Sequence, residues 1–150
     1  MFQIERTDSA NDDFKALVKL LDEELTVRDG ADHPFYDQFN KLDRIKYVVV
    51  AYLEEEPVGC GAIKAFDAGI MEIKRMYVKP ELRGRGIAVA LLQELEKWSS
   101  ALGVKACILE TGVNQPEAIS LYKKCQYQIR ENYGPYAGVE KSICFQKNLV

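Results

Sequence analysis

The chain is poor in the residues that build metal centres. It has one histidine, His33, and four cysteines, Cys60, Cys107, Cys125 and Cys144. No two cysteines form a C-x-x-C pair, so the spacing of a zinc site or a dithiol redox motif is missing and no metal is expected. Cys60, Cys107 and Cys144 stand among apolar or small residues and Cys125 near a helix end, the setting of free, mostly buried thiols. Long apolar runs are missing too, and none approaches the roughly 20 residues of a membrane span. The segment Met1-Phe2-Gln3-Ile4-Glu5-Arg6 lacks the basic-then-apolar signature of a secretory leader. Thiols without an export signal fit a reducing cytosol, so a cytoplasmic protein with no membrane partner is expected. There is no excess of positive charge either. The formal net charge of -3 argues against nucleic acid as the main partner. Linkers, low-complexity tracts and internal repeats are absent, so the 150 residues read as one domain, 1–150.

What is present is an alternation of short strands and amphipathic helices. Phe2 to Arg6 alternates like a strand. Asp8 to Asp13 offers N-cap residues and first-turn acids ahead of Phe14, Leu17, Val18, Leu21 and Leu25 at helical spacing. That helix stops near Asp29-Gly30, and a second short one is expected from Phe35 to Asp43. Tyr47 to Leu53, Val58 to Phe66 and Ile70 to Val78 are β-branched or aromatic runs separated by tight turns, which predicts an antiparallel meander. After Gly86, the residues Ile87, Leu91, Leu92, Leu95, Trp98 and Leu102 form one helical stripe capped by Gly103. A strand at Ala106 to Glu110, a helix opened by Pro116, and strands at Tyr127 to Glu131 and Lys141 to Lys147 complete the order. The fold class is α+β: a mixed, mostly antiparallel sheet of about seven strands flanked by about four helices.

The turn Val78-Lys79-Pro80-Glu81-Leu82-Arg83-Gly84-Arg85-Gly86-Ile87-Ala88 joins a strand to the long helix. Glycine lets a ligand approach the backbone, and the free N–H groups and dipole of a helix start attract an anion such as a pyrophosphate. Arg83 and Arg85 add forked donors. No Gly-Lys-Ser or Gly-Lys-Thr follows, so this is not a Walker loop. The glycine spacing and the preceding meander do not suit a dinucleotide fingerprint. The alternative is an ordinary turn with solvated arginines.

The run Glu72 to Ala88, with Arg-x-x-Gly-x-Ala at Arg83, Gly86 and Ala88, resembles the central motif of the GNAT superfamily of N-acetyltransferases. Ala118-Ile119-Ser120-Leu121-Tyr122-Lys123-Lys124-Cys125-Gln126-Tyr127 resembles that family's second block, and the element order resembles its fold over the whole chain. The resemblance implies acetyl-CoA as co-substrate, in a cleft where the strand ending at Val78 splays from the one at Ala106 to Glu110. Main-chain groups of Met76, Tyr77 and Val78 would pair with the pantetheine arm, and amides of Arg83, Gly84, Arg85, Gly86, Ile87 and Ala88 would hold the pyrophosphate. A bulge near Met76 to Val78 would open the groove. Two positions depart from the pattern. The family's Asn seven residues before the tyrosine is replaced by Gln115, with Asn114 beside it, and its Gly before the final aromatic by Gln126. Either Asn114 or Gln115 could supply the missing contact.

Acyl transfer to an amine needs a base, a polarised carbonyl and an acid for the leaving thiolate. By resemblance Tyr122 also contacts the cofactor and is the candidate acid, the alternative being a core aromatic. Glu72 is the candidate base, with Lys74 on the same face opposing the effect of burial and Glu110 on the neighbouring strand as rival. The loops Asp29 to Tyr36 and Asn132 to Gly138 would line the acceptor site, with His33, Tyr36, Tyr133 and Tyr136 as candidate substrate contacts. Three functions stay open: acetylation of a small-molecule amine, which is favoured; acetylation of a protein N-terminus or lysine; and a non-catalytic acyl-CoA-binding module. A homodimer is also left open.

Overall fold

The structure is a computed structural model that describes residues 2–37 and 44–149. Its elements run β1 (Phe2–Thr7), α1 (Asp12–Asp29), α2 (His33–Asp37), β2 (Tyr47–Leu53), β3 (Glu56–Asp67), β4 (Ile70–Val78), α3 (Ile87–Ala101), β5 (Ala106–Gly112), α4 (Pro116–Lys124), β6 (Gln128–Arg130) and β7 (Ser142–Asn148). The second helix begins at His33, two residues before the expected start, and the expected stretch beyond Asp37 lies outside the described residues. β3 starts at Glu56 rather than Val58, because Glu54 and Glu55, both at positive φ, complete the turn alone.

One seven-stranded sheet, in the order β1-β2-β3-β4-β5-β7-β6, carries the molecule. β1 to β4 pair antiparallel, as do β5 with β7 and β7 with β6, while β4 and β5 run parallel. That parallel pair is short. It joins Ile70, Met71 and Glu72 to Ala106, Cys107 and Ile108, and beyond these residues the two strands are unpaired with each other. The sheet therefore opens at its middle.

Helices cover both faces. On one, α3 buries Ile87, Leu91, Leu92 and Leu95 against Val49, Ala51, Ile63 and Ile73, and α4 brings Tyr122 beside Phe145. Ser99 is buried on α3, whereas Leu102, expected on the stripe, is half exposed because the helix ends at Ala101. On the other face α1 buries Phe14, Leu17, Val18 and Leu21 against Val48, Val50, Cys60 and Tyr77. Asn11 caps α1, its side chain accepting from the Phe14 amide at 2.9 Å. A smaller cluster of Tyr36, Ile108, Tyr133, Tyr136 and Cys144 lies over β5 and β7. α4 closes with the Tyr127 amide donating to the Tyr122 carbonyl and Gln126 at φ 72, the left-handed position that favours glycine.

Candidate active site

A cavity of about 350 Å³ occupies the opening between β4 and β5. It is walled by α1, β4, the turn before α3, β5 and α4. Ala118 and Leu121 of α4 are half-buried because they line this cavity.

β4 reaches the opening through a bulge. Cys60 pairs with Tyr77 and Ala62 with Lys74, so β4 spends one residue more than β3 between these pairs. The irregularity falls at Arg75, whose φ is 60, slightly upstream of the expected Met76 to Val78. Met76, Tyr77 and Val78 line the cavity, and beyond Glu72 the β4 edge that faces β5 lacks a β5 partner.

The glycine turn supplies the next wall. Gly84 and Gly86 both sit at positive φ, 81 and 84, and no side chain caps α3. A Cβ built at either glycine meets no protein atom within 4 Å, so packing alone does not require glycine there. Arg83, Gly84 and Ala88 line the cavity. Arg83 is fixed, its Nε donating to the Val78 carbonyl and its Nη2 to Glu24, each at 2.9 Å. Arg85 is exposed outside the cavity lining, and Ile87 turns into the core.

Gln115, the N-cap of α4, and Tyr122 within that helix line the opposite wall. Gln115 lines the cavity and is 8% exposed; its Oε1 accepts from Arg28 at 3.2 Å, and its buried Nε2 finds no partner among the described residues. Asn114 is exposed outside the lining, its amide donating to the Arg28 carbonyl at 3.4 Å. The Tyr122 hydroxyl takes no hydrogen bond among the described residues; burial raises its phenol, with the Cys125 and Glu110 charges adding to the effect.

Glu72 and Glu110 share the α1 face of the sheet, because Glu72 pairs with Ile108 and Glu110 lies two residues further along β5. Glu72 accepts from the Tyr133 hydroxyl at 2.8 Å and has the Lys74 ammonium at 3.8 Å. Burial pushes Glu110 up to about 7, with the Ser142 hydroxyl opposing and the Asp29 and Glu72 charges reinforcing the shift. Its Oε2 is buried without a partner among the described residues. Tyr36 and Tyr136 also line the cavity, Tyr36 hydrogen-bonded to Ser142 at 3.0 Å. Tyr133 stands behind Glu72. His33 is apart from the cavity lining, its ring 3.3 Å from the Thr26 hydroxyl and 3.8 Å from Asp29.

Sequence reasoning found Asp29 at the end of α1 but not the two charged residues that α1 contributes upstream of it. Glu24 and Arg28 line the cavity, and Arg28 crosses to α4, donating to Glu117 at 2.6 Å. Along the sequence both read as the polar face of an amphipathic helix. Arg75 was also missed, because a bulge position has no local signature when glycine does not occupy it.

An opened sheet with an uncapped helix start beside it defines a class. Residues 14–127 match the acetyltransferase (GNAT) family, and the chain belongs to that family; it is an acetyltransferase. It is 42% identical over 93 residues to an IAA acetyltransferase of Azospirillum brasilense, a match spanning 61% of each chain. A solved structure assigned to an acyl-CoA N-acyltransferase of Klebsiella pneumoniae is 28% identical and superposes with a TM-score of 0.83 over 100% of this chain and 99% of that one. The PaiA N-acetyltransferase of Thermoplasma acidophilum, solved with coenzyme A, shares the fold at 17% identity and a TM-score of 0.73, over 99% of each chain.

Proposed function

We propose that the protein transfers an acetyl group from acetyl-CoA to the primary amine of a small molecule by direct attack in a ternary complex. The observation that carries this reading is the opening between β4 and β5. One cavity there collects the β4 edge of Met76 to Val78 that lacks a β5 partner, the uncapped start of α3, Tyr122, and the carboxylates of Glu72 and Glu110. The residues fit the co-substrate: strand-edge groups for the pantetheine amides, α3 amides for the pyrophosphate, and the unpartnered Gln115 Nε2 in the place of the family's Asn.

Acetyl-CoA supplies an activated thioester. The amine nitrogen bonds to the carbonyl carbon, the carbon–sulfur bond breaks, and the amine's proton must leave. Glu110 is suited to take that proton, since a carboxylate near 7 is both ionised in part and basic enough at neutral pH. Glu72, held by Tyr133 and Lys74, orients the ammonium and remains the second candidate base. Tyr122 donates to the sulfur as charge builds on it; the burial that raises the phenol raises a thiolate beside it as well, so the transfer keeps its driving force. Buried Tyr36 and Tyr136 at the acceptor end favour a compact amine over a protein chain. The test is a panel of amines and short peptides with acetyl-CoA, read by free-thiol release and product mass. Turnover is expected with a small amine. Turnover with peptides alone would move the assignment to protein acetylation, and CoA binding without turnover to a binding module.

A further inference from the structure

The bulge in β4 is built around a residue that is expensive to place there. Arg75 has φ 60, a left-handed conformation that costs a non-glycine residue roughly 1 kcal/mol. Its guanidinium is nonetheless buried, with the side chain 2% exposed, and its Nη2 donates to Asp22 of α1 at 2.6 Å. The Arg75 carbonyl accepts from the Cys60 thiol at 3.3 Å, and burial raises that thiol to about 12, so it remains a donor. The neighbouring strand is shaped to the same end. A Cβ at Gly59 would lie 2.9 Å from the Tyr77 carbonyl oxygen, and one at Gly61 would overlap the Met76 sulfur. Three devices on two elements, α1 and β3, thus hold one irregular turn of β4.

Resting on the proposed function, we infer that Asp22 and Arg75 are positioning residues for acetyl-CoA: their ion pair locks the β4 bulge from α1 and so sets the strand edge that receives the pantetheine. Neither need touch the co-substrate. Without the lock, β4 can relax toward a regular ladder with β3, which would shift Met76 to Val78 by one residue and turn their edge groups the wrong way. The pair also ties the cofactor edge to the helix that carries Glu24 and Arg28 into the same cavity. A simple packing role would call for an apolar residue, or for glycine, at position 75.

The test uses the whole chain and three variants. Asp22 is 42% exposed on its side chain, so Asp22→Ala is expected to fold. Its CoA dissociation constant should rise about two- to fivefold, the range for losing a half-exposed ion-pair partner. KM for acetyl-CoA should rise with it while KM for the amine holds, and hydrogen exchange should quicken at the amides of Met76, Tyr77 and Val78 but not in β1 and β2. Arg75→Gly, which relieves the backbone cost but removes the lock, should bind CoA more weakly than the parent. Arg75→Lys should recover part of the loss. Variants that bind CoA like the parent, or that lose stability and protection evenly across the sheet, would overturn the positioning role. A parent that itself fails to bind CoA would overturn the proposed function together with it.

Discussion

Glu110 carries opposite consequences for stability and for rate. Its folded pKa, raised by burial to about 7, lies above the 4.5 of an exposed glutamate. Between those values the folded chain binds more protons than the unfolded one, so stability contributed by Glu110 is full below about 4.5 and is lost as pH rises through 7. Glu110→Gln should therefore be more stable than the parent at pH 8 and similar to it at pH 4, measured by denaturant titration. If Glu110 is the base, the parent's kcat/KM climbs with pH to a plateau above about 7. In the Gln variant that limb is lost and the single-turnover rate falls about 10²- to 10⁴-fold. A limb kept in Glu110→Gln and lost in Glu72→Gln would return the role to Glu72. Tyr122→Phe in the same assay should slow the chemical step by a similar factor with CoA affinity within a few-fold, since the ring stays packed against Tyr127 and Phe145. A parent-like rate would leave Tyr122 as a core aromatic only.

At the scale of elements, no side chain among the described residues caps the start of α3. Its N-cap is Gly86, and the space where a Cβ would stand at Gly84 or Gly86 is open. Gly86→Val should fold, at a cost of roughly 1–2 kcal/mol for a β-branched residue at positive φ, and should weaken CoA binding at least tenfold by crowding the amides. Arg85→Ala should do less, because the exposed guanidinium adds charge without shaping the site. Isothermal titration of the two variants against the parent measures both. Equal affinity in Gly86→Val and the parent would place the anion site elsewhere.

Over the whole molecule, the two helical layers meet at the opening in the sheet. α1 is linked to α4 through Arg28 and Glu117 and to the glycine turn through Glu24 and Arg83. A ligand seated between them stabilises the folded state by mass action. At about a hundred times its dissociation constant, CoA should add roughly 2.7 kcal/mol, which for a chain of this size raises the melting temperature by about 5–10 °C. A flat melting curve up to millimolar CoA would remove the co-substrate assignment. Among the described residues no helix is long and apolar enough to cross a membrane.

The sequence by itself determined the order of elements, because each signal is local: periodicity for α1 and α3, β-branched runs for β2 to β4, and glycines where the chain turns. It also determined which residues could face a phosphate, since Gly84, Gly86 and the helix after them are contiguous. The tertiary structure alone decided what depends on register between distant strands. The parallel pairing of β4 and β5 stops after three residue pairs, and its register puts Glu72 and Glu110 on one face of the sheet, Glu110 two residues beyond Glu72's partner. The choice of Gln115 over Asn114 for the cavity followed from how α4 docks, and the raised Glu110 carboxyl followed from its burial beside Ser142 of β7. Arg75 was the least legible of all, because its conformation is unfavourable locally and is held by an acid 53 residues away.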